Sequence, residues 1–150
     1  MIDLLFLLAF LFVSALAFAW IEINTEGIEG AGWAEKLPTW KIDKPWVVTI
    51  WGGRPLTGYH LSILIFMLIM VHFPFFMGLP WSWDLERKAL GFYILFWVLE
   101  DFLWFAINPA YGLKKFKREN IWWHAPRWWL GMPIDYWVFT PIGFLLLISG

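Results

Sequence analysis

Two adjacent acids, Glu100 and Asp101, lie inside the long apolar stretch 90–107, LGFYILFWVLEDFLWFAI. At ~1.5 Å per residue this stretch spans ~27 Å, close to the ~30 Å of a bilayer's hydrocarbon core, so it predicts a transmembrane helix. A charged acid at such depth costs roughly 2.5 to 3.5 kcal/mol, and such residues usually face the protein interior and mark a functional site. The pair therefore predicts a buried polar site within the membrane.

Two histidines are predicted close to the level of these acids. Counting back from Pro109, the acids lie ~12 to 14 Å from the near end of their helix, and His60 lies ~6 to 8 Å inside its own helix. His124 precedes the last predicted helix, and its side chain can reach the same end of the helix bundle. The candidate catalytic residues are Glu100, Asp101 and His60, and the candidate metal ligands are His60, Glu100, Asp101 and His124.

Three interpretations of these side chains are open. Imidazole and carboxylate ligands without thiolate suit a divalent transition metal such as zinc, iron or manganese. Adjacent acids in a low-dielectric medium can instead share a proton and form an acid-base network, because like charges so close together do not both ionise cheaply. The third interpretation is a buried acid that pairs with a histidine or an indole only for helix packing.

A third histidine, His72, follows His60 by twelve residues in the second apolar run. This spacing places it ~18 Å nearer the opposite face, which excludes a haem bridged by the two. We expect His72 to be a packing residue bonded to Asp84 or to a tryptophan. Met67 and Met70 are expected to fill the core of the helix bundle.

The composition is that of a membrane protein. Hydrophobic residues make up 61% and charged residues 15% of the 150, and the mean hydropathy is +0.63. These values are typical of a polytopic membrane protein, and the net charge of −1 argues against a nucleic-acid partner. Since cysteine is absent, a disulfide framework and a thiolate metal site are excluded. The 14 Trp and 15 Phe are enough to line a pocket or a subunit contact as well as an aromatic belt.

The apolar runs predict an all-α integral membrane protein that forms a single membrane domain over residues 1–150. Its four transmembrane helices are predicted at about 4–22, 56–77, 89–107 and 134–149. The first run is interpreted as a span rather than a signal peptide, because it has no preceding cation and is longer than a signal core.

Two long segments connect the predicted helices. The loop 23–55 is predicted to be either a structured cap on the membrane interface, with a short strand or hairpin in WVVTIW (46–51), or an irregular loop anchored by tryptophans. The segment 108–133 is basic and tryptophan-rich, and it is predicted to lie at the interface on anionic headgroups. These two segments carry nine of the eleven Lys and Arg residues, with only Arg87 and Lys88 elsewhere. The positive-inside rule therefore predicts a multi-pass protein of the cell membrane with both large loops in the cytoplasm and both termini outside.

The segment EDFLWF, residues 100–105, resembles the acid-acid-aromatic signature of the small membrane lycopene cyclases. The likeness covers six residues and lacks the proline that precedes the acids in that family. Those enzymes are thought to protonate an isoprenoid and to stabilise the resulting cation. The resemblance implies an isoprenoid or lipid substrate, whose cation or long apolar chain would suit Phe96, Trp97, Trp104 and Phe105 around the acids.

Taken together, these patterns predict a membrane-embedded enzyme, metal-dependent or acid-base, that acts on a lipid-like or isoprenoid substrate. Membrane lipids and that substrate are the expected partners. The alternatives are a small proton-coupled transporter or channel subunit, and a non-catalytic accessory subunit of a membrane complex. A chain of 150 residues has little room for both a gated pathway and its support, so the transport alternative requires a homo-oligomer.

Overall fold

The structure, a computed structural model, describes residues 4–26 and 40–149, so the part of the predicted cap at 27–39 lies outside the described residues. About 70% of the described chain is helical. Its α-helices are α1 (Leu4–Glu26), α2 (Pro45–Ile50), α3 (Gly58–Phe76), α4 (Trp83–Ile107) and α5 (Ile134–Ile148). Among them, α1, α3 and α4 are long and apolar enough to cross a membrane, and α5 is apolar but has only 15 residues.

Helix α1 continues beyond the predicted end of the first span at residue 22. The Asn24 side chain donates to the carbonyl of Trp20 at 2.8 Å, and the Thr25 hydroxyl donates to the carbonyl of Ile21. Polar side chains that bond back four residues allow a helix to extend past its apolar run. As a result Glu22 lies one turn inside the helix rather than at its end.

The predicted strand at 46–51 is wrong, because this segment forms the short helix α2. Pro45 occupies its first position, where the fixed φ of proline favours a helix start, and the Thr49 hydroxyl donates to the Pro45 carbonyl at 2.9 Å. A hairpin does form, but from the flanking residues: β1 (Lys41–Ile42) pairs antiparallel with β2 (Leu56–Thr57).

Side-chain caps set the starts of the two helices that follow. The Thr57 hydroxyl accepts from the backbone N–H of His60 at 3.3 Å and so caps the start of α3. The Ser82 hydroxyl likewise accepts from the N–H of Leu85, so α4 begins six residues before the predicted start at 89. Acidic residues in its first turn, Asp84 and Glu86, also favour this earlier start through the helix dipole.

Helix α4 is the centre of the bundle. In the most apolar stretch of α4, 44% of the residues are buried. The corresponding share is 17% in α1 and 6% in α3. Helix α1 packs on it through Ala15 and Ala19, both fully buried. Helix α5 approaches so closely that a Cβ on Gly91 would lie 2.8 Å from the carbonyl oxygen of Gly143 and 2.8 Å from the nitrogen of Leu147. Small residues thus let α1 and α5 lie directly on α4, while α3 lies more loosely beside it.

The segment between α4 and α5 is folded. It contains two short 3-10 turns, Leu113–Lys115 and Ala125–Arg127, and a hairpin of β3 (Trp128–Trp129) with β4 (Met132–Pro133). Leu130 and Gly131 form the hairpin turn, both at positive φ, as tight hairpins prefer.

This segment also folds back onto the end of α4. Ile121 is fully buried, and the Trp123 ring stacks on Phe105 with centroids 5.8 Å apart. Trp122 and Trp129 are more than half exposed. One set of aromatic residues therefore packs inward and closes the bundle, while another remains on the surface, where interfacial tryptophans are expected.

Candidate functional site

A polar cavity of about 260 Å³ lies at the end of the bundle where α4 ends. Helices α1, α3, α4 and α5 all contribute to its wall, together with segments before α3 and before α5. Its ionisable lining residues are Glu22, Arg54, His60, Glu100, Asp101, His124, Asp135 and Tyr136. All four of the site residues predicted from the sequence therefore line one cavity, beside several that were not predicted.

Asp101 is the hydrogen-bonding centre of this cavity. Its Oδ2 accepts from the hydroxyl of Tyr136 at 2.5 Å and lies 3.1 Å from Nε2 of His124, and its Oδ1 lies 3.4 Å from the same nitrogen. Tyr136 stands in the first turn of α5, and His124 immediately precedes a 3-10 turn. One carboxylate thus joins α4, the connecting segment and α5.

These contacts fix how His124 can act. An ionised carboxylate only accepts hydrogen bonds, so the Nε2 that faces Asp101 carries a proton and Nδ1 of the neutral ring is an acceptor. Within the described residues Nδ1 makes no hydrogen bond, and the ring lines the cavity. His124 is therefore oriented by Asp101 and can take a proton from a group in the cavity, which is the arrangement of a general base.

Glu100 is buried, with 4% of its surface exposed, and it lines the same cavity. Glu22 lines the same cavity and accepts from the Tyr59 hydroxyl at 2.8 Å. Two carboxyl groups in one low-dielectric cavity do not both ionise cheaply, because each negative charge disfavours the other. The α1–α4 side of the cavity therefore favours the retention of one acidic proton.

His60 reaches the cavity from the first turn of α3. Its Nδ1 hydrogen-bonds with the Thr57 hydroxyl at 2.6 Å, and its ring meets the edge of Trp51 with centroids 6.3 Å apart. This histidine is therefore held by the cap of its own helix. It stands in the cavity wall, where its remaining ring nitrogen is the group that can meet a ligand.

Within residues 4–26 and 40–149, no three His, Asp or Glu side chains converge in a way that could hold one metal ion. His124 and Asp101 are in direct contact, but His60 is engaged with Thr57. The predicted metal set of His60, Glu100, Asp101 and His124 stays a prediction.

The residues at the other end of the bundle differ in detail from expectation. Nε2 of His72 lies 3.0 Å from Oε1 of Glu86, whose Oε2 accepts from the Trp81 indole at 3.0 Å, so the acidic partner of His72 is not Asp84. Met67 is buried in the core as predicted, whereas Met70 is 43% exposed. The helix turn that follows Met67 carries Met70 to the surface of α3, so the prediction of a core role is wrong for Met70.

The sequence interpretation missed Glu22, Tyr59 and Tyr136. Glu22 stands at the predicted end of the first helix, where an acid is ordinary, but α1 runs four residues further and Glu22 lines the cavity. Tyr136 follows His124 by twelve residues and was hidden in an apolar, aromatic helix start. No local pattern marks it, because its role depends on the packing of α5 against α4.

Comparison of the chain with protein-family models, with curated proteins and with solved structures found no match. The function is therefore inferred from the geometry of the cavity.

Proposed function

We propose that this chain is a four-span membrane protein whose polar cavity is the active site of an acid-base enzyme acting on a lipid-like substrate. The observation that carries the proposal is the cluster of His124, Asp101 and Tyr136. A carboxylate that holds one nitrogen of a histidine, and leaves the other free to accept a proton, is how general bases are oriented on many unrelated folds.

A pair of carboxyl groups supports an acid-base reaction. Glu22 and Glu100 are two carboxyl groups in one low-dielectric cavity, where one of them is favoured to keep its proton, so the cavity offers a proton donor as well as an acceptor. A substrate held between them can lose a proton to His124 and gain one from the carboxyl pair. Such a reaction needs no electron acceptor and balances in protons when the pair is later reprotonated from His124 or water.

The position and wall of the cavity support a lipid-like substrate. Three of the helices that line it are long and apolar enough to cross a membrane, and the ring of Phe105 belongs to its wall. The indole side chains of Trp51 and Trp104 also belong to this wall. Aromatic rings of this kind suit the apolar part of a lipid-like molecule.

The fourth span is proposed from the packing of α5. At one end Tyr136 contacts Asp101, and near the other Gly143 meets Leu95, so α5 lies at the same depth as α4. With 15 residues it is ~22 Å long, and its connecting hairpin and tail can extend it towards both interfaces. On this topology the basic segments face the cytoplasm, as nine of the eleven cations predict.

The lipid composition of an expressing host tests the proposal. Membranes that contain the wild-type protein should differ from those that contain His124→Gln in at least one lipid species, whose mass identifies the reaction. The control is Asp135→Asn, which changes a lining carboxylate that faces Arg127 at 3.6 Å and not His124. Equal lipid profiles for the wild type and His124→Gln, at equal expression, would argue against an enzyme of lipids.

A further inference from the structure

A second, larger cavity lies at the opposite end of the bundle. It has a volume of about 540 Å³, within the ~300 to 1,000 Å³ usual for small-molecule sites, and it runs between α1, α3 and α4. Its wall is apolar and largely aromatic, with Phe10, Phe18, Met70, Phe92 and Phe96 among its residues. Ser14 and Lys88 are the polar residues of this wall within the described chain, and the Ser14 hydroxyl bonds back to its own helix.

This apolar cavity, which we call the groove, is separate from the polar cavity. On α1 the apolar lining ends with Ile21 and the polar lining begins with Glu22, and on α4 the same change falls between Phe96 and Trp97. At this level the Phe18 ring of α1 packs on Phe96 and Trp97, with centroids 5.6 and 5.5 Å apart. Aromatic side chains therefore close the groove at the end that faces the polar cavity.

The groove follows α4 for about three turns. Its lining residues on α4 run from Leu85 to Phe96, a rise of ~16 Å along the helix axis. The apolar stretch of α3 is only 6% buried, so α3 packs loosely and leaves the groove open beside α4.

Charge sets the direction in which an amphiphile would lie. The described wall of the polar cavity contains four carboxyl groups, those of Glu22, Glu100, Asp101 and Asp135, and only one arginine. An anionic headgroup is disfavoured there. Lys88 lines the opposite end of the groove and makes no hydrogen bond or ion pair within the described residues, whereas Arg87 beside it pairs with Asp84. A free cation at the end of an apolar groove fits an anionic headgroup.

We propose that the groove binds an anionic amphiphile, with its headgroup at Lys88 and one hydrocarbon chain among the apolar residues of the groove. This site is separate from the proposed active site, so it goes beyond the proposed function and its binding can be tested alone. A fatty acid and an isoprenoid phosphate share the required chemistry, and they differ in the branching of the chain.

Binding of radiolabelled palmitate and of 1-hexadecanol, which has the same chain without the charge, tests the headgroup site on the purified full-length protein. Lys88→Gln should weaken palmitate binding about tenfold and change hexadecanol binding less than about twofold, because only the carboxylate meets the lysine. Arg87→Gln is the matched control and should change neither. If Lys88→Gln leaves palmitate binding unchanged, Lys88 only reaches to the interface and the proposed direction is wrong.

Filling the groove tests the chain site. Ala17→Phe places a ring in the groove and should weaken binding of both probes at least about tenfold, whereas Val13→Phe, at an exposed position of α1 outside the groove, should not. Ala89→Phe fills the same groove from α4 and gives a second variant should Ala17→Phe fail to fold. Equal binding by Ala17→Phe and Val13→Phe would overturn the groove.

Two further comparisons separate the chain type and the reaction. The chain type is tested by displacing radiolabelled palmitate with unlabelled geranylgeranyl phosphate or with unlabelled palmitate. Displacement at a lower concentration by geranylgeranyl phosphate would assign an isoprenoid chain, and displacement at a lower concentration by palmitate would assign an acyl chain. Asp101→Asn should bind palmitate like the wild type, because the acid lies beyond the apolar groove. Intact binding together with no lipid turnover by the wild type would support the groove and contradict the enzyme.

Discussion

At the scale of single residues, the structure turns on the orientation of one imidazole ring. Nε2 of His124 faces Asp101, and the His124 ring is part of the cavity wall. A base oriented in this way works only while the carboxylate holds the ring, and Tyr136 helps to hold the carboxylate from α5. The three residues therefore act as a unit, and a change in any one should disturb the other two.

The tautomer of His124 provides a direct test of this arrangement. We expect the neutral ring to carry its proton on Nε2 in the wild type, because Asp101 accepts there, and to become a mixture of tautomers in Asp101→Ala. Nitrogen NMR of the ring is feasible because the chain has only 3 histidines. Asp135→Asn is the control and should leave the spectrum unchanged. A proton on Nδ1 in the wild type would contradict the assigned role.

Sequence alone was sufficient for some of these residues and not for others. Glu100 and Asp101 stand out because two acids in an apolar helix are energetically anomalous, and this anomaly can be read without a structure. Nothing comparable marks Tyr136, since a tyrosine at the start of a membrane helix is ordinary. Its role arises from a contact between helices that are distant in sequence, and such contacts follow from packing that local patterns do not encode.

At the scale of the elements, the contact of α4 with α5 depends on the absence of a side chain. A Cβ on Gly91 would meet backbone atoms of α5 at 2.8 Å, and backbone atoms cannot move without shifting the helix. Gly91→Ala should therefore destabilise the protein by ~1 to 3 kcal/mol. Thermal unfolding in detergent measures this loss.

Gly58→Ala is the matched comparison for this prediction. A Cβ there would meet the indole of Trp40, 2.9 Å from its Nε1, and an indole can rotate away. We expect its cost to be clearly smaller than that of Gly91→Ala. If the two substitutions cost the same, close approach of the α5 backbone is not what Gly91 provides.

The elements also show where sequence patterns succeed. The end of α4 at Ile107 was predicted because the Asn108-Pro109 pair that follows it stops a helix locally. The helix at WVVTIW was not predicted, because its β-branched residues favour a strand while the preceding Pro45 favours a helix start.

At the scale of the whole molecule, the proposed topology is tested by labelling. The chain contains no cysteine, so each single-cysteine variant reports one position. A cysteine introduced by Lys115→Cys should react with an impermeant reagent only after the cells are permeabilised, whereas one introduced by Met77→Cys, an exposed site in the short turn after α3, should react in intact cells. The reversed pattern would invert the orientation.

Metal content separates the two proposed chemistries. An acid-base site should keep its activity after exhaustive dialysis against a chelator, because its proton donor and acceptor are side chains. A metal-dependent site should lose both activity and about one equivalent of zinc, iron or manganese per chain, and the loss should be reversed by adding the metal. Loss and recovery of this kind would replace the acid-base mechanism with the metal-dependent one.

The subunit count distinguishes the enzyme from the transport alternative. One chain contains the complete cavity, so we expect full activity from a monomer in detergent. Native mass spectrometry measured alongside activity tests this. Activity confined to an oligomer would favour a pathway formed between subunits.

The most direct test of the central claim is proton transfer by the purified protein in D₂O. When the protein is incubated with a total membrane lipid extract, the acid-base account predicts that one lipid species changes mass, through deuterium gained at carbon or through a bond cleaved. His124→Gln and Glu100→Gln should reduce the rate by ~10² to 10⁴, while Asp135→Asn should not. An unchanged lipid extract, or an equal rate with His124→Gln, would contradict the assignment of this cavity as an acid-base active site.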